Sequence, residues 1–506
     1  MEKNNKVVII GSGIGGLICG AILSKEGYHV TVLERNKQIG GNLQTYTRDK
    51  CIFDSGVHYV GGLEKGQNLY KIFKYLGIID KLKLQKLDEG AFDKIVFYDE
   101  EKEYSYAQGY KRFEETLIAD FPDEADAIRK YAETILKVCE NFPLYQIRTG
   151  DYFGKSVFLE MDTKSFIESL TSDKRLQNVL AGNNLLYAGE ANKTPIYVHA
   201  LVLNSYIESA WRFVDGGSQI ARLLSKIITG NGGAVKNRTN IKKIIVNGTL
   251  AEFAEDSDGK KYYGDYFISN AHPAKTLEML DTDLIRKAYR HRINGLPNSL
   301  SSFTVNITLK PNSLKYFRTN YYCYRQDDVW TSMNYTEESW PLSFSLFFSA
   351  SSKSEEYAEA VTLMAYMRYE EVAKWKDSFN TELFPGERGK NYEDFKKMKA
   401  EKLIDVAEKR FPGLKKAMRS YYTSTPLTFR DYMGTDDGAL YGITKDYRDP
   451  IKTFISPRTK IPNLLLTGQN INLHGVLGVS ISSLVTRSEI IGLENLVNKI
   501  DHAQNQ

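Results

Sequence analysis

The sequence has 506 residues, 42% hydrophobic and 26% charged, which predicts two or three structural units and excludes a disordered or fibrous protein. Its formal net charge of +4, from 67 basic and 63 acidic residues, is too small to predict a nucleic-acid partner. The four cysteines and seven histidines are dispersed, so we expect free thiols and a cytoplasmic protein without a bound metal.

Residues 6–33 predict a β-α-β unit. A short β-branched run, 6–10, is followed by helical periodicity over 14–26, which ends at Gly27, and by a second strand over 29–33. Such a crossover is right-handed and builds a parallel sheet. The glycines in the apolar stretch 7–23 have the spacing that this unit needs, so we do not assign the stretch to a signal peptide. No later run approaches the ~20 apolar residues of a membrane span.

The turn between this first strand and its helix carries the strongest motif of the chain, Gly11-Ser12-Gly13-Ile14-Gly15-Gly16. In a dinucleotide fold the first glycine allows a tight turn, the second lets the backbone approach a pyrophosphate, and the last lets helix and strand pack closely. The helix N-terminus, at Ile14 and Gly15, adds unpaired N–H groups and partial positive charge. The motif predicts a dinucleotide site.

The segment after the second strand distinguishes between cofactors. Glu34 ends that strand, where a carboxylate can accept ribose hydroxyls and disfavours the 2′-phosphate of NADP. A second glycine pair then brings the backbone close to the cofactor again, and residues 53–59 continue the cofactor edge. An NAD dehydrogenase would instead proceed to a third strand and helix, so the segment favours FAD. The predicted contacts here are Arg35, Gly40, Gly41, Asn42, Gly56, Val57 and His58.

The middle of the chain alternates between helical and strand patterns. Residues 69–180 are mostly helical, with apolar residues three and four apart in 70–76, 111–119, 123–138 and 163–170. A helix at 219–228 leads into strands near 235, 241–246, 250–253 and 266–269. Alternation at period two in 302–309, 321–325, 342–348 and 361–369 predicts an antiparallel sheet, and an amphipathic helix covers 392–410.

The C-terminal segment predicts a second helix directed at the cofactor. A strand over 463–467 runs into Gly468-Gln469-Asn470, then into His474-Gly475-Val476 and a final helix over 476–499. A helix dipole at this place favours negative charge on a reduced flavin ring. The fold class is therefore α/β. A Rossmann-like FAD-binding unit (1–68, 211–299 and 431–506) is interleaved with a helical, membrane-facing insertion (69–210) and a sheet-containing substrate domain (300–430).

Together these motifs resemble the superfamily of FAD-dependent carotenoid desaturases, carotenoid isomerases and retinol saturases, which is itself similar to amine oxidases. The resemblance spans nearly the whole chain, through 11–34, 40–41, 53–59 (FDSGVHY), 216–217, 268–273 (ISNAHP) and 468–478. FDSGVHYVGG and Thr467-Gly468-Gln469-Asn470 are closest to the retinol saturase branch. Two positions depart from the pattern. Asn42 stands where many relatives have Arg or Lys, which removes a cationic contact, and His474 is not a general family feature.

The resemblance implies a phytoene desaturase or amine oxidase type of fold. It also implies non-covalent FAD above a hydrophobic tunnel, with hydride moving between flavin N5 and a carbon of a polyene or isoprenoid. It adds Asn270, Gly468, Gln469, Gly475 and Val476 to the cofactor site. His58 and His474 are the candidate acids or bases, although each fits a purely structural role too. Phe344, Phe347 and Phe348 belong either to the substrate cavity or to the core.

Several functions remain open at this point. A retinol 13,14-reductase-like enzyme is favoured over a phytoene-desaturase-like one because of the motifs at 53–59 and 467–470. The alternatives are a carotenoid cis-trans isomerase that uses reduced FAD, an amine-oxidase-like flavoenzyme and a non-enzymatic prenyl-binding escort protein.

A polyene substrate also predicts contact with a membrane surface, since its aqueous concentration is negligible. The segment around Pro143, with Phe142, Leu144, Tyr145, Tyr152 and Phe153, predicts an exposed loop that contacts a bilayer. Alternatively, these aromatics fill the interface between the insertion and the FAD unit.

Overall fold

The computed structural model describes residues 5–150 and 157–504. Its strands, numbered in chain order, are β1 Lys6–Ile10, β2 His29–Leu33, β3 Thr45–Arg48, β4 Cys51–Asp54, β5 Val60–Gly61, β6 Leu84–Lys86, β7 Asp93–Phe97, β8 Glu103–Tyr106, β9 Ala210–Phe213, β10 Ala234–Lys236, β11 Ile241–Asn247, β12 Leu250–Asp256, β13 Lys261–Tyr263, β14 Tyr266–Ser269, β15 Ser301–Leu309, β16 Asn320–Tyr324, β17 Ser343–Phe348, β18 Ala360–Met367, β19 Met418–Ser424 and β20 Leu464–Leu466. Its α-helices are α1 Ile14–Lys25, α2 Asn68–Leu76, α3 Tyr110–Asp120, α4 Ala125–Glu140, α5 Thr163–Leu170, α6 Lys174–Leu180, α7 Ile196–Glu208, α8 Ser218–Gly230, α9 Pro273–Glu278, α10 Lys287–Asn294, α11 Lys390–Arg410, α12 Leu414–Ala417, α13 Pro426–Met433, α14 Pro450–Thr453, α15 Gly475–Ile491 and α16 Leu493–Ala503.

A five-stranded parallel sheet forms the first layer, in the order β10-β2-β1-β14-β20. Its central strands are apolar because helices cover one face and the small antiparallel sheet β11-β12-β13 lies toward the other. Ile9 is paired with Val32 on one side and with Ile268 on the other. The predicted β-α-β unit is confirmed. The sheet also shows that β14 and β20, far apart in sequence, complete the layer beside β1.

Helix α1 is buried on nearly all sides, between the sheet, α8 and α15. Such packing requires glycine where the backbones meet. A Cβ at Gly16 would lie 2.2 Å from the carbonyl oxygen of Gly11. Helix α15 is buried along most of its length, and its hydroxyls donate to carbonyls one turn earlier. Ser483 in addition contacts the carbonyl of Gly15 at 3.2 Å.

A seven-stranded sheet forms the second layer, in the order β19-β15-β18-β17-β16-β7-β8. The antiparallel strands predicted between residues 300 and 369 are confirmed as β15 to β18, and the helix predicted over 392–410 is α11. The sheet also contains β7 and β8, from the segment that the sequence predicts as mostly helical, with β7 parallel to β16. These strands of five and four residues are too short to produce a clear alternating pattern.

Two further expectations are wrong. The single helix predicted over 476–499 is two helices, since Gly492 adopts a left-handed φ of +77° between α15 and α16. The exposed loop expected around Pro143 is not exposed, because Phe142, Leu144 and Tyr145 are buried. The Phe142 ring lies tilted against that of Tyr197 of α7, with ring centres 5.4 Å apart, and the Tyr145 hydroxyl donates to the Leu201 carbonyl at 2.9 Å.

These contacts lie within the helical insertion, because α7 belongs to residues 69–210, so they do not place the aromatics at the interface with the FAD unit that the alternative predicts. Tyr152 and Phe153 lie outside the described residues. Across 5–150 and 157–504, none of the helices combines the length and the apolar character needed to cross a bilayer.

Candidate cofactor and substrate site

Four glycines form a cradle at the carboxyl edge of the parallel sheet. A Cβ added at Gly13, Gly15 or Gly468 would lie 2.5 to 2.6 Å from an amide atom of the Asn270 side chain, and one at Gly11 would lie 3.5 Å from its Cβ. No side chain caps α1, so its first N–H groups remain available to an anion. The cradle therefore combines backbone N–H groups with a side-chain amide, which suits a pyrophosphate.

Glu34 is held beside this cradle by three hydrogen bonds. Its Oε2 accepts from the backbone N–H of Ser12 at 3.0 Å and from the Ser12 hydroxyl at 2.6 Å, and its Oε1 accepts from the N–H of Asn36 at 2.8 Å. A carboxylate offers about four acceptor positions, so one remains on Oε1. Glu34 thus fixes the glycine loop and retains room for one ribose hydroxyl.

The second glycine pair packs directly on the first glycine loop. The Gly40 N–H donates to the Ser12 hydroxyl at 3.1 Å, and a Cβ at Gly41 would lie 3.1 Å from the Cα of Gly13. Gly40 has a φ of +114°, which favours glycine. Arg35 points away from the loop, where its guanidinium donates to the Asp431 carbonyl at 2.8 Å.

A cavity of about 1040 Å³ lies against the seven-stranded sheet, which contributes Tyr322, Phe347 and Met364 to its lining, and it reaches Gln38 and Asn42 on either side of the second glycine pair. One wall contains seven residues that the sequence assigned to the site, namely Asn42, Gly56, Val57, His58, His474, Gly475 and Val476. The lining also contains aromatic and aliphatic residues, namely Tyr59, Leu185, Leu201, Tyr206, Tyr322, Phe347, Met364 and Tyr441. Exposed charged residues, among them Arg48, Glu382 and Lys397, lie where the cavity meets solvent.

The remaining predicted residues divide between this cavity and its surroundings. Phe347 lies on the cavity wall, whereas Phe344 and Phe348 are buried in the core of the seven-stranded sheet. Gln469 lines a separate, small cavity behind His474. Within the described ranges, no group of three or more His, Cys, Asp or Glu side chains is arranged to hold a metal ion.

The two candidate histidines are both neutral at physiological pH. His58 stacks on Phe347, with ring centres 4.6 Å apart and an interplanar angle of 6°. Burial, together with the charge of Arg212, lowers the pKa of His58 to about 4. His474 lies 4.7 Å from the Tyr441 ring, and burial and the charge of Lys445 lower its pKa to about 4 as well. Neither imidazole holds the extra proton that a general acid needs at pH 7.

A buried polar chain, which the sequence did not reveal, ends at the cavity wall. The Tyr59 hydroxyl donates to Asp93 Oδ2 at 2.8 Å and shares a 2.6 Å hydrogen bond with the Tyr322 hydroxyl. Asp93 Oδ1 accepts from Asn320 Nδ2 at 2.9 Å, and Asn320 Oδ1 accepts from Arg212 Nη2 at 2.7 Å. Burial raises the pKa of Asp93 to about 7. The pairing of β7 with β16 brings Asp93 beside Asn320 and Tyr322, and Arg212 reaches them from β9. Tyr59, which ends the FDSGVHY motif, was the one sequence signal.

Comparisons with known proteins agree with the motifs. A family model described as an NAD(P)-binding Rossmann-like domain matches residues 9–76. The all-trans-retinol 13,14-reductases of Macaca fascicularis and Homo sapiens are 30% and 29% identical to this chain. These matches cover 96% and 98% of this chain and 85% and 88% of those proteins. The chloroplastic prolycopene isomerase of Daucus carota is 22% identical over 99% of this chain and 83% of its own length.

Solved structures of low sequence identity share the architecture. An oxidoreductase from Methanosarcina mazei superimposes with a TM-score of 0.63 at 16% identity, covering 95% of this chain and 99% of that one. Putrescine oxidase bound to putrescine gives a TM-score of 0.62 at 12% identity, over 98% and 99% of the two chains. These likenesses confirm the predicted fold class, a Rossmann-like unit with an interleaved second domain of the amine oxidase type.

Proposed function

Since this chain belongs to the superfamily of FAD-dependent carotenoid desaturases, carotenoid isomerases and retinol saturases, we propose that it is an FAD-dependent oxidoreductase that saturates a C=C bond of a long hydrophobic polyene. The observation that carries the proposal is the cavity. It joins the motif residues 56–58 and 474–476 to an apolar, aromatic interior. A volume of about 1040 Å³ is at the upper end of ligand sites, enough for a flavin ring and a second ligand.

The glycine cradle fits the phosphates of a non-covalent FAD, and Glu34 fits one ribose hydroxyl. The proposed FAD site consists of Gly11, Gly13, Ile14, Gly15, Gly16, Glu34, Gly40, Gly41, Asn42, Gly56, Val57, His58, Asn270, Gly468, Gly475 and Val476. Bound FAD would supply the hydride donor and acceptor of the reaction at its N5.

Arg35 and Gln469 are assigned a supporting role, since Arg35 is bonded to the Asp431 backbone and Gln469 lines the smaller cavity.

The substrate is proposed to be a neutral isoprenoid because the interior of the cavity is apolar and its two histidines are uncharged. The exposed charged side chains lie at the mouth, where the polar end of a retinol-like molecule would remain hydrated, while Asp54 lines the cavity farther in and burial raises its pKa to about 7. Reduction is favoured over desaturation by the Macaca fascicularis and Homo sapiens relatives, both named 13,14-reductases, which match over nearly the whole chain.

Anaerobic single-turnover measurements test the proposal. The purified protein should be yellow, and after chemical reduction of its flavin, addition of all-trans-retinol should restore the oxidised flavin spectrum. Mass spectrometry should show a product with two more hydrogens. The Gly13→Val variant, which should not retain FAD, serves as the matched control.

Other outcomes would identify the alternatives. A product of unchanged mass but altered double-bond geometry would indicate an isomerase, and reduction of oxidised flavin by a polyene would indicate a desaturase. Reduction of the flavin by putrescine but not by any polyene would indicate an amine oxidase. A protein that binds polyenes and never retains FAD would indicate an escort protein.

A further inference from the structure

The reaction proposed above needs a proton as well as a hydride, and the histidines do not supply it. Saturation of a C=C bond adds hydride to one carbon and a proton to its neighbour. His58 is stacked on Phe347 and His474 is the N-terminal cap residue of α15; both are neutral at pH 7. Another acid must therefore serve. Burial raises the pKa of both Asp54 and Asp93 to about 7; Asp54 lines the cavity itself and accepts from the Gly217 N–H at 2.7 Å, and Asp93 lies behind two tyrosine hydroxyls.

The polar chain described above meets this requirement by its connectivity. Tyr59 and Tyr322 both contribute to the cavity wall, and their hydroxyl oxygens are 2.6 Å apart. Tyr59 is in turn 2.8 Å from Asp93, which is fully buried and does not line the cavity. A proton on Asp93 is thus connected to the cavity through hydroxyl groups only.

The protonation state of Asp93 sets the direction of these hydrogen bonds. When Asp93 is ionised, Tyr59 donates to it and Tyr322 donates to Tyr59, so neither hydroxyl hydrogen is free. When Asp93 is protonated, it donates to Tyr59, and one of the two tyrosine hydrogens is released toward the cavity. The protonation state of Asp93 therefore determines whether the two tyrosine hydroxyls have a hydrogen to donate into the cavity.

We propose that the Tyr59–Tyr322 hydroxyl pair protonates the polyene and that Asp93 is the source of the proton. This inference rests on the proposed function. The π bond of the substrate breaks, one carbon takes a hydride from the reduced flavin, and the adjacent carbon takes the proton of the tyrosine pair. The pair regains a proton from Asp93, which is left as a carboxylate until solvent reprotonates it. The flavin is oxidised by two electrons and the polyene is reduced by two.

The groups around Asp93 allow both of its charge states. Arg212 is the charged group that faces it, from β9 through Asn320, and it favours the carboxylate. The other titratable groups that face it are Tyr59, Tyr106 from β8, Tyr206 from α7 and Tyr322 from β16. Desolvation outweighs the effect of Arg212 and of the hydrogen bonds, so the pKa of Asp93 rises to about 7. Asp93 can thus both hold and release a proton near neutral pH.

Two variants remove the relay and one controls for the loss of a tyrosine hydroxyl. Asp93→Asn keeps the hydrogen bonds but has no proton to give, and Tyr59→Phe disconnects Asp93 from the cavity. Tyr324→Phe is the control: it lies two residues beyond Tyr322 on β16, and its hydroxyl donates to the Gly182 carbonyl at 2.7 Å, outside the cavity. FAD absorbance of each holoenzyme reports whether the variant folds.

The first readout is infrared spectroscopy of the resting holoenzyme. Wild type should show carboxylic acid absorption that is lost as pH rises through about 7, to which Asp54 also contributes, so the Asp93 band is the difference between wild type and Asp93→Asn. The band should be absent from Asp93→Asn, shifted in Tyr59→Phe and unchanged in Tyr324→Phe. A wild-type spectrum without a band that depends on Asp93 would overturn the proposal.

The second readout is the rate at which all-trans-retinol reoxidises the reduced flavin. In wild type and Tyr324→Phe this rate should fall as pH rises through neutrality. In Asp93→Asn and Tyr59→Phe it should be about 10²- to 10⁴-fold lower and independent of pH. Variants that keep the wild-type rate and pH profile would refute the relay alone. A wild-type enzyme that leaves every polyene unchanged would refute the proposed function, and with it the role of the relay.

Discussion

The Glu34→Gln substitution tests how the carboxylate at the end of β2 contributes to cofactor binding. A glutamine has one acceptor oxygen and one donor nitrogen. If its oxygen faces the two donors of Ser12, its NH₂ group faces the N–H of Asn36, and the 2.8 Å hydrogen bond there is lost. The remaining acceptor position for a ribose hydroxyl becomes a donor.

The magnitude has two parts. The unpaired Asn36 N–H, next to a side chain that is only 5% exposed, should lower the free energy of unfolding of the apoprotein by about 1–3 kcal/mol. Replacing a charge-assisted hydrogen bond to the ribose by a neutral one should cost about 1 kcal/mol more in the complex, or about fivefold in the FAD dissociation constant.

Fluorescence titration of the apoprotein with FAD measures the affinity, and urea denaturation measures the stability. Ser12→Ala is the control, since it leaves the carboxylate in place and removes one donor to Glu34 together with one of the two Ser12 oxygens that accept from the Gly40 N–H. An unchanged FAD affinity with reduced stability would show that Glu34 only holds the glycine loop. No change in either quantity would refute the whole account of this residue.

Three other outcomes follow from the structure. Gly13→Val should leave a folded, colourless protein, because a side chain there occupies the cradle beside Asn270; yellow protein would contradict this. Asp93→Asn should gain stability relative to wild type as pH rises from about 4 to 7. In that window the raised pKa keeps Asp93 protonated only in the folded state, so wild-type stability falls with rising pH. A difference between the urea midpoints of the two proteins that is the same at pH 5 and at pH 8 would contradict this prediction. Phe142→Ser should lower the free energy of unfolding by about 3–5 kcal/mol, since Phe142 is buried against Tyr197. If liposome flotation changed but stability did not, Phe142 would be a membrane contact after all.

The candidate cofactor site could be predicted from the sequence because its geometry is local. Gly11, Gly13 and Glu34 belong to one β-α-β unit, in which spacing along the chain determines position in space. The antiparallel strands β15 to β18 were accessible for a similar reason, since alternation at period two is a local property.

The proton relay was not accessible, because Asp93, Tyr322 and Arg212 meet only through the pairing of β7 with β16 and the packing of β9 nearby. The prediction of an exposed, membrane-facing loop around Pro143 was wrong for a different reason. A cluster of aromatics beside a proline has the same appearance in sequence whether it faces solvent or, like Phe142 and Tyr145, a neighbouring helix.

The parallel sheet also constrains when the cofactor can bind during synthesis. Its central strand, β1, is made first, yet it pairs with β14, which in turn pairs with β20. Helix α15, which supplies the cavity wall at Gly475 and Val476, is made later still. A ribosome-bound chain thus exposes the apolar edge of β1 through most of translation and cannot close the cavity until residues 464–491 have emerged. Flavin supply should therefore affect the yield of mature protein only after residues 464–491 have emerged, rather than early cotranslational folding.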